Sequence, residues 1–163
     1  MIVGILTASD KGAAGQREDE SGQVIRRMME PLGAEVAEYA VLPDDRDRLS
    51  AAMRHMADDL KCDLILTTGG TGFSPRDVTP EATLDVVERL TPGLTEAMRV
   101  KGMEATPRAM LSRAAAGIRG QTLIVNLPGS PKAVRENLSV ILPVLSHGME
   151  MLTGRGGECA AAD

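Results

Sequence analysis

The sequence predicts an α/β fold of three layers: a mainly parallel, twisted sheet with helices on both faces and a short antiparallel hairpin at one edge. Short apolar runs typical of buried strands alternate along the chain with segments whose apolar residues recur at helical spacing. The 163 residues show no internal repeat and no linker, and they match the size of one domain. We therefore expect a single domain over residues 1–153 and a frayed tail over residues 154–163.

The first half of the chain carries three predicted strands with a helix after each of the first two. The strands are the apolar runs at residues 2–7, 35–42 and 63–67. Residues 12–20 are rich in glycine and charge and predict a mobile surface loop, after which Ser21 is the expected N-cap of the first helix. Asp45 or Asp47 is expected to cap the second helix.

The second half of the chain predicts helices, a hairpin and a last buried strand. In order, the expected elements are a helix over residues 80–90, a helix over residues 94–104, a hairpin of strands within residues 112–119 and 121–127, and a closing helix from residue 131. Thr79 and Ser130 are the expected N-caps, and each precedes a proline at the first helical position.

Composition and charge exclude several classes of partner. Aromatic residues make up 1% of the chain, so single-stranded nucleic acid would have almost nothing to stack on. A net charge of −5 also argues against a nucleic-acid surface. The N-terminal apolar run is too short for a signal or a membrane helix, and Cys62 and Cys159 have no metal-site spacing. We expect a cytoplasmic protein with no membrane contact.

The chain is organised around the glycine-rich stretch that follows the third predicted strand. Gly69, Gly70 and Gly72 allow a tight turn and a close approach of a ligand to the backbone. Arg76 and Asp77 then lie between this turn and the next helix, where a surface ion pair is the alternative to a functional role. In parallel sheets, turns at the carboxyl ends of strands form the ligand-binding edge.

Four turns are expected at this edge, and together they predict a site for phosphate and metal. They are Ser9-Asp10, Pro43-Asp44, the loop from Gly69 to Asp77, and the turn from Pro128 to Ser130. Backbone amides suit phosphate oxygens, and the carboxylates suit Mg²⁺. No arrangement of serine, histidine and aspartate predicts a nucleophile with its base.

Three motifs resemble those of the molybdopterin adenylyltransferases of the MogA/MoaB type. They are Thr67-Thr68-Gly69-Gly70-Thr71-Gly72 with Arg76-Asp77-Val78-Thr79-Pro80-Glu81-Ala82-Thr83, then Ser112-Arg113-Ala114 with Ala116-Gly117, and finally the run from Asn126 to Val134. The similarity extends from Ile2 to about Leu152 in one order and without large gaps. Molybdenum-insertion domains and a competence-damage-type domain share the fold and the glycine loop, so the fold alone does not fix the activity.

The resemblance implies transfer of AMP from Mg-ATP to the terminal phosphate of molybdopterin in molybdenum cofactor biosynthesis. It implies that Asp44 and Asp77 are the essential carboxylates and hold Mg²⁺ through the nucleotide. The residues that it places around the nucleotide and the pterin phosphate are Gly69, Gly70, Thr71, Gly72, Pro128, Gly129 and Ser130, with Ser112 and Arg113 towards the pterin. For Ser112, a place in an edge hairpin is an equal alternative.

Two other functional classes remain open at this point. A non-catalytic molybdopterin-binding or carrier module would have the same fold, and a structural or assembly subunit is the third possibility. The resemblance also implies a downstream molybdenum-insertion protein as partner, and a homotrimer in first place with a hexamer in second.

Overall fold

The computed structural model describes residues 1–154, so residues 155–163 of the expected tail, Cys159 included, lie outside the described part. In chain order the elements are β1 (Ile2–Ala8), α1 (Asp10–Ala13), α2 (Glu20–Met29), a 3₁₀ turn (Glu30–Leu32), β2 (Glu35–Leu42), α3 (Arg46–Asp58), β3 (Leu64–Thr68), α4 (Thr79–Leu84), β4 (Arg89–Leu90), α5 (Pro92–Ala105), a second 3₁₀ turn (Pro107–Leu111), β5 (Ala116–Arg119), β6 (Thr122–Leu127) and α6 (Pro131–Thr153). None of the helices within residues 1–154 has both the length and the apolar character needed to cross a membrane.

The predicted fold class is confirmed. The strands form one sheet in the order β2-β1-β3-β6-β5-β4, and β2, β1, β3 and β6 run parallel. Strands β5 and β6 form the expected antiparallel hairpin, and β4 pairs antiparallel with β5 at the edge. The parallel strands therefore end at one edge, where β1, β2, β3 and β6 are each followed by a turn and a helix.

Helices cover both faces of the sheet, because successive strand residues point to opposite sides. Leu64 and Leu66 of β3 face a core shared with α2, α5 and α6, whereas Ile65 faces a core shared with α3 and α4. The largest fully buried side chains are isoleucine, leucine and methionine: Ile5, Leu6, Ile25, Met29, Leu49, Met53, Met56, Leu64, Ile65, Leu66, Ile124 and Leu127. The rigid double-sided core fixes the turns that carry the site.

One predicted helix is wrong over its second half. The helix expected over residues 80–90 ends at Leu84, and Arg89–Leu90 form β4 instead. Their neighbours complete the pairing, since the Glu88 amide donates to Ile118 O at 2.8 Å and the Thr91 amide donates to Ala116 O at 2.9 Å. Thr91 precedes Pro92, which disfavours helical backbone at Thr91.

Three expectations about helix starts also differ from the structure. Residues 10–13 within or next to the expected mobile loop form the short helix α1, which Ser9 caps through Gly12 N. Asp19, not Ser21, caps α2 by accepting from Gly22 N at 3.0 Å. Thr79 is the first residue of α4 and makes no capping bond. The caps expected at Asp45 and Ser130 are confirmed by bonds to Arg48 N and Ala133 N.

Candidate functional site

A cleft of about 620 Å³ lies at the carboxyl edge of the parallel strands. All four turns predicted to meet there contribute to its lining, which consists of Thr7, Ala8, Ser9, Gly12, Arg17, Glu18, Asp19, Glu20, Ser21, Asp44, Thr68, Gly69, Gly70, Asp77, Gly129, Ser130 and Pro131. Five of these side chains are carboxylates and only Arg17 is a cation. A polyphosphate entering this cleft therefore needs positive charge from elsewhere.

Gly69 and Gly70 form the floor of this cleft in a backbone conformation that other residues rarely adopt. Their φ angles are +89° and +62°. A Cβ atom on Gly69 would collide with the carbonyl of Ala8, and one on Gly70 would collide with Thr79 Oγ1 and reach Asp44 Oδ1 at 3.0 Å. The buried Thr79 hydroxyl has no hydrogen-bond partner among the described residues. Only glycine therefore fits this part of the loop.

A second cleft of about 270 Å³ lies on the other side of the same loop. Thr71 and Gly72 line it, as do Ser112 and Pro128, whereas Gly69, Gly70, Gly129 and Ser130 line the first cleft. The two clefts thus share the turns after β3 and β6, and consecutive residues of each turn line different clefts. The glycine loop and the Pro128 turn therefore form a wall that the two clefts share.

Asp44 lies half-buried in the first cleft, and both its carboxylate and its backbone amide form hydrogen bonds with Asp10. The Asp10 amide donates to Asp44 Oδ2 at 3.1 Å, and the Asp44 amide donates to Asp10 Oδ1 at 3.0 Å. Burial raises the pKa of the Asp44 carboxyl above its ordinary value, and the negative charges of Asp10 and Asp77 act in the same direction. Asp44 is therefore a carboxylate whose charge the free protein compensates poorly.

Asp77 is fixed by its own loop and does not pair with its neighbour. Its Oδ2 accepts from Ser74 N at 2.9 Å. Arg76 instead forms a bidentate pair with Asp10, from Nε to Oδ2 at 3.1 Å and from Nη2 to Oδ1 at 2.8 Å. The ion pair that the sequence suggested between Arg76 and Asp77 is thus replaced by one that links two turns of the edge.

Asp44 and Asp77 offer carboxylate oxygens, which are the ligands that a divalent cation such as Mg²⁺ prefers. Asp44 and Asp77 each use Oδ2 in a hydrogen bond to a backbone amide, and each Oδ1 has no such bond within the described residues. Residues 1–154 contain no cluster of three or more acidic, histidine or cysteine side chains arranged to hold a metal. Oxygen ligands from only two carboxylates suit Mg²⁺, which normally completes its shell with phosphates and water.

Arg113 is a clamp on the glycine loop. Its Nε donates to Gly72 O at 2.7 Å, its Nη2 donates to Asp77 O at 2.7 Å, and its Nη1 pairs with Glu81. The Arg113 amide also donates to Thr71 O at 2.9 Å. These bonds explain how the loop holds its shape between β3 and α4. The phosphate contact expected for Arg113 stays a prediction.

Ser112 lies in the second cleft beside Arg113. The alternative place for Ser112, in the edge hairpin, is wrong, because the first hairpin strand begins only at Ala116. Ser112 instead follows the second 3₁₀ turn, and its amide donates to Ala109 O at 3.2 Å. The role expected for it towards the pterin stays a prediction.

Asp19 is a part of the site that the sequence pattern placed in a mobile loop. Its Oδ2 accepts from Thr7 Oγ1 at 2.6 Å and from the Tyr39 hydroxyl, while Oδ1 caps α2. Burial and the Asp19 charge raise the pKa of Tyr39, so its hydroxyl keeps the proton that it donates. The signal available in the sequence was Asp19 three residues before Gly22, a spacing typical of a helix cap.

Two further contacts and one exposed side chain complete the edge. Ser21 Oγ donates to Gly129 O at 2.8 Å, and Thr68 Oγ1 donates to Pro128 O at 2.6 Å. The turn after β6 is thus tied to α2 and to β3. Phe73 is 67% exposed and lines neither cleft, which excludes a role in packing the core.

Comparisons with known proteins give one consistent result. Residues 4–147 match the family model described as a probable molybdopterin binding domain. The chain is 40% identical over 154 residues to the molybdopterin adenylyltransferase of Helicobacter pylori strain J99, which covers 93% of this chain and 88% of that protein. It is 39% identical over 150 residues to the molybdenum cofactor synthesis protein cinnamon of Drosophila melanogaster, covering 91% of this chain and 25% of the relative. The crystal structure of the molybdopterin biosynthesis enzyme MoaB from Thermus thermophilus aligns with a TM-score of 0.89 and 51% identity, covering 94% of this chain and 96% of the other.

Proposed function

The chain belongs to the family of molybdopterin-binding domains that includes the molybdopterin adenylyltransferases, and we propose that its two clefts hold the two substrates on either side of the glycine loop. It is a nucleotidyltransferase of molybdenum cofactor biosynthesis. The substrates of adenylyl transfer to molybdopterin are ATP and molybdopterin. In the proposed arrangement ATP occupies the cleft with Asp44 and Asp77, and the pterin occupies the cleft with Ser112.

The observation that carries this proposal is that two clefts share one wall built from the turns after β3 and β6. An oxygen of the molybdopterin terminal phosphate forms a bond to the α-phosphorus of ATP, and the bond from that phosphorus to its bridging oxygen breaks. Pyrophosphate leaves with the electron pair. Such a transfer needs the two phosphates to meet in a fixed orientation. In the proposed arrangement the two phosphates come together at Gly70 and Thr71, where the two clefts adjoin.

In this proposal Asp44 and Asp77 hold Mg²⁺ together with the phosphates of ATP. The bound cation supplies neutralising charge to the phosphates. Among residues 1–154 neither Oδ1 atom accepts a backbone hydrogen bond, and this observation and the acidic lining of the cleft support the proposal. Backbone amides of the glycine loop and of the turn from Pro128 to Ser130 are proposed to orient phosphate oxygens, and Arg113 keeps the loop in place for them.

Incubation of the purified chain with molybdopterin and Mg-ATP tests the function. The expected products are pyrophosphate and adenylylated molybdopterin, resolved by mass. Bound molybdopterin without pyrophosphate release would contradict the catalytic function and favour the carrier module. Omission of Mg²⁺ with excess chelator should abolish pyrophosphate release, while pterin binding, followed by fluorescence, should persist. Loss of both would contradict the assignment of the metal to the nucleotide.

A homotrimer is proposed as the assembly, with a hexamer second. Large apolar side chains remain exposed on α5, on the 3₁₀ turn that follows it and on α6: Val100, Met103, Met110, Leu111, Val144 and Met151. Apolar patches of this kind are often covered by a partner subunit. Sedimentation equilibrium at micromolar concentration should give about three times the 17.2 kDa chain mass. A monomer at that concentration would contradict the proposal.

We also propose a cytoplasmic location and a molybdenum-insertion protein that receives the product. The relative cinnamon is named for molybdenum cofactor synthesis, and this chain matches 25% of its length. A longer relative leaves room for further steps of the same synthesis in one chain. In a trapping experiment we expect adenylylated molybdopterin to pass from this chain to an added insertion protein without exchange into bulk solution. Full exchange with a trap would contradict a direct partnership.

A further inference from the structure

The ion pair between Arg76 and Asp10 lies beside the first cleft, since Asp10 hydrogen-bonds to Asp44 and Arg76 precedes Asp77, and Asp44 and Asp77 both line that cleft. Arg76 belongs to the loop after β3, and Asp10 begins α1 after β1, so the pair joins two turns that are 66 residues apart. Their side chains are 63% and 46% exposed. Exposed pairs contribute little to stability because water and salt screen them. The pair is therefore easily exchanged for a stronger partner.

Asp10 holds Arg76 next to the residues proposed to bind the nucleotide. Asp10 is bonded in both directions to Asp44, and Arg76 directly precedes Asp77. The hydrogen bonds to Asp10 raise the pKa of Arg76, and the charges of Asp10 and Asp44 act in the same direction, which places the guanidinium within the field of this edge.

The charges of the cleft explain why such an arginine is needed. Glu18, Asp19, Glu20, Asp44 and Asp77 line it, and Arg17 is the cation of the lining. A triphosphate adds further negative charge to this set. Arginine binds phosphate through two parallel hydrogen bonds, as it binds a carboxylate, and a triphosphate offers it more negative charge than the single carboxylate of Asp10. Arg76 already presents Nε and Nη2 together to Asp10.

We propose that Arg76 exchanges Asp10 for the β- and γ-phosphates of ATP, and that Asp10 binds the Arg76 guanidinium in the free enzyme. This inference rests on the proposed function. When the bond from the α-phosphorus to the bridging oxygen breaks, the electron pair passes to the pyrophosphate. A guanidinium bound to those phosphates stabilises the charge that develops there. Arg76 thus selects for a triphosphate over a monophosphate and acts on the leaving group.

Calorimetric titration with ATP and with AMP, at fixed Mg²⁺ and ionic strength and without pterin, tests the exchange. Arg76→Ala should weaken ATP binding at least tenfold and change AMP binding by less than twofold. Asp10→Asn removes the same ion pair but keeps an oxygen for the Asp44 amide. It should leave ATP binding unchanged or strengthen it, because the competing carboxylate charge is gone.

If the pair of Arg76 and Asp10 only held the two turns together, the variants would show a different pattern of nucleotide binding. Arg76→Ala and Asp10→Asn would then weaken ATP binding alike, or Arg76→Ala would weaken AMP and ATP equally, and either result overturns the inference. Arg119→Ala is the matched control, since Arg119 makes a bidentate pair with Asp58 through the same two nitrogens at the opposite edge of the sheet. It should bind ATP like the wild type.

The failure of this inference differs from a failure of the proposed function. Wild-type protein that binds no ATP contradicts the nucleotide site itself. Wild-type protein that binds ATP while Arg76→Ala binds it equally well contradicts the exchange alone. Melting temperatures of all variants are measured in parallel. If Arg76→Ala does not fold, Arg76→Gln keeps most of the side chain without its charge and should show the same loss of ATP binding.

Discussion

Asp10 and Asp44 bind each other's backbone, with the Asp10 amide on Asp44 Oδ2 at 3.1 Å and the Asp44 amide on Asp10 Oδ1 at 3.0 Å. Two like charges are thereby held close together. The Asp10 carboxylate is balanced by Arg76, which lowers its pKa, whereas burial raises the pKa of Asp44. The free protein therefore keeps one well-compensated and one poorly compensated carboxylate at the same edge.

Asp44→Asn should stabilise the protein at neutral pH while it removes activity. A raised pKa in the folded state means that stability is fully present below the ordinary value of 3.8 and is lost as the pH rises through the raised value. At pH 7 the whole cost is present, and asparagine removes it. We expect a melting temperature about 1–3 °C above wild type, because a partly exposed charge costs under about 1 kcal/mol.

Melting curves of Asp44→Asn and wild type between pH 3 and pH 8 check this sign. The difference should shrink as the pH falls towards 3.8. Asp10→Asn should instead melt below wild type at neutral pH, and this deficit should shrink as the pH falls. The lowered pKa of Asp10 gives the wild type stability that is present above the ordinary pKa and is lost as the pH falls. A less stable Asp44→Asn at pH 7 would contradict the cost assigned to burial.

Asp77→Asn should reduce turnover by about two to three orders of magnitude, because electrostatic stabilisation of the transition state contributes most to catalysis in sites of this kind. The side chain keeps its size and its acceptor for the Ser74 amide. Stability should therefore change little. Pyrophosphate release and thermal melting are measured on one preparation, with Asp58→Asn at the opposite edge as control. Normal turnover with a lowered melting point would leave Asp77 as a loop anchor.

Gly70→Ala should disrupt the glycine loop through sterics as well as backbone strain. The φ of Gly70 is +62°, and an added Cβ would collide with Thr79 Oγ1. Gly33→Ala is a matched control, because Gly33 has a φ of +66° and open space around the Cβ position. We expect about 1 kcal/mol of destabilisation for Gly33→Ala and clearly more for Gly70→Ala in urea unfolding. Equal losses would show that the close approach to Thr79 is without consequence.

Arg113→Ala should lower the free energy of unfolding by about 2–3 kcal/mol, because hydrogen bonds to charged groups are stronger than neutral ones. It removes the bonds to Gly72 O, Asp77 O and Glu81. Arg113→Lys separates two roles, since lysine keeps the charge but not the planar fork. If the clamp is what matters, Lys should lose stability and turnover nearly as Ala does. Retained turnover in Arg113→Lys would favour direct phosphate contact.

The alternation of strands and helices was enough to predict the sheet and the edge where Asp44 and Asp77 meet. Parallel strands bring their carboxyl ends together whatever the details of packing. The hairpin followed in the same way from two short apolar runs on either side of Arg119-Gly120. These features depend on local patterns and on topology, which the sequence carries directly.

Contacts between distant side chains were not predictable in this way. Arg76 lies beside Asp77 in the chain, yet it pairs with Asp10. Asp19 looked like one acid in a charged loop until the fold placed Thr7 and Tyr39 against it. Residues 89–90 looked helical because their pairing with β5 depends on a strand formed later in the chain. In each case tertiary contacts decide between local alternatives of similar energy.

The wall between the two clefts has a consequence for the order of events. Gly70 and Thr71 are consecutive residues, but each belongs to a different cleft. In the proposed arrangement each reactant enters a different cleft, and we expect the two substrates to bind in random order. The product is different, because the new phosphate linkage crosses the wall and ties both halves together. We therefore expect release of the product, which would occupy both clefts, to be slower than entry of either substrate.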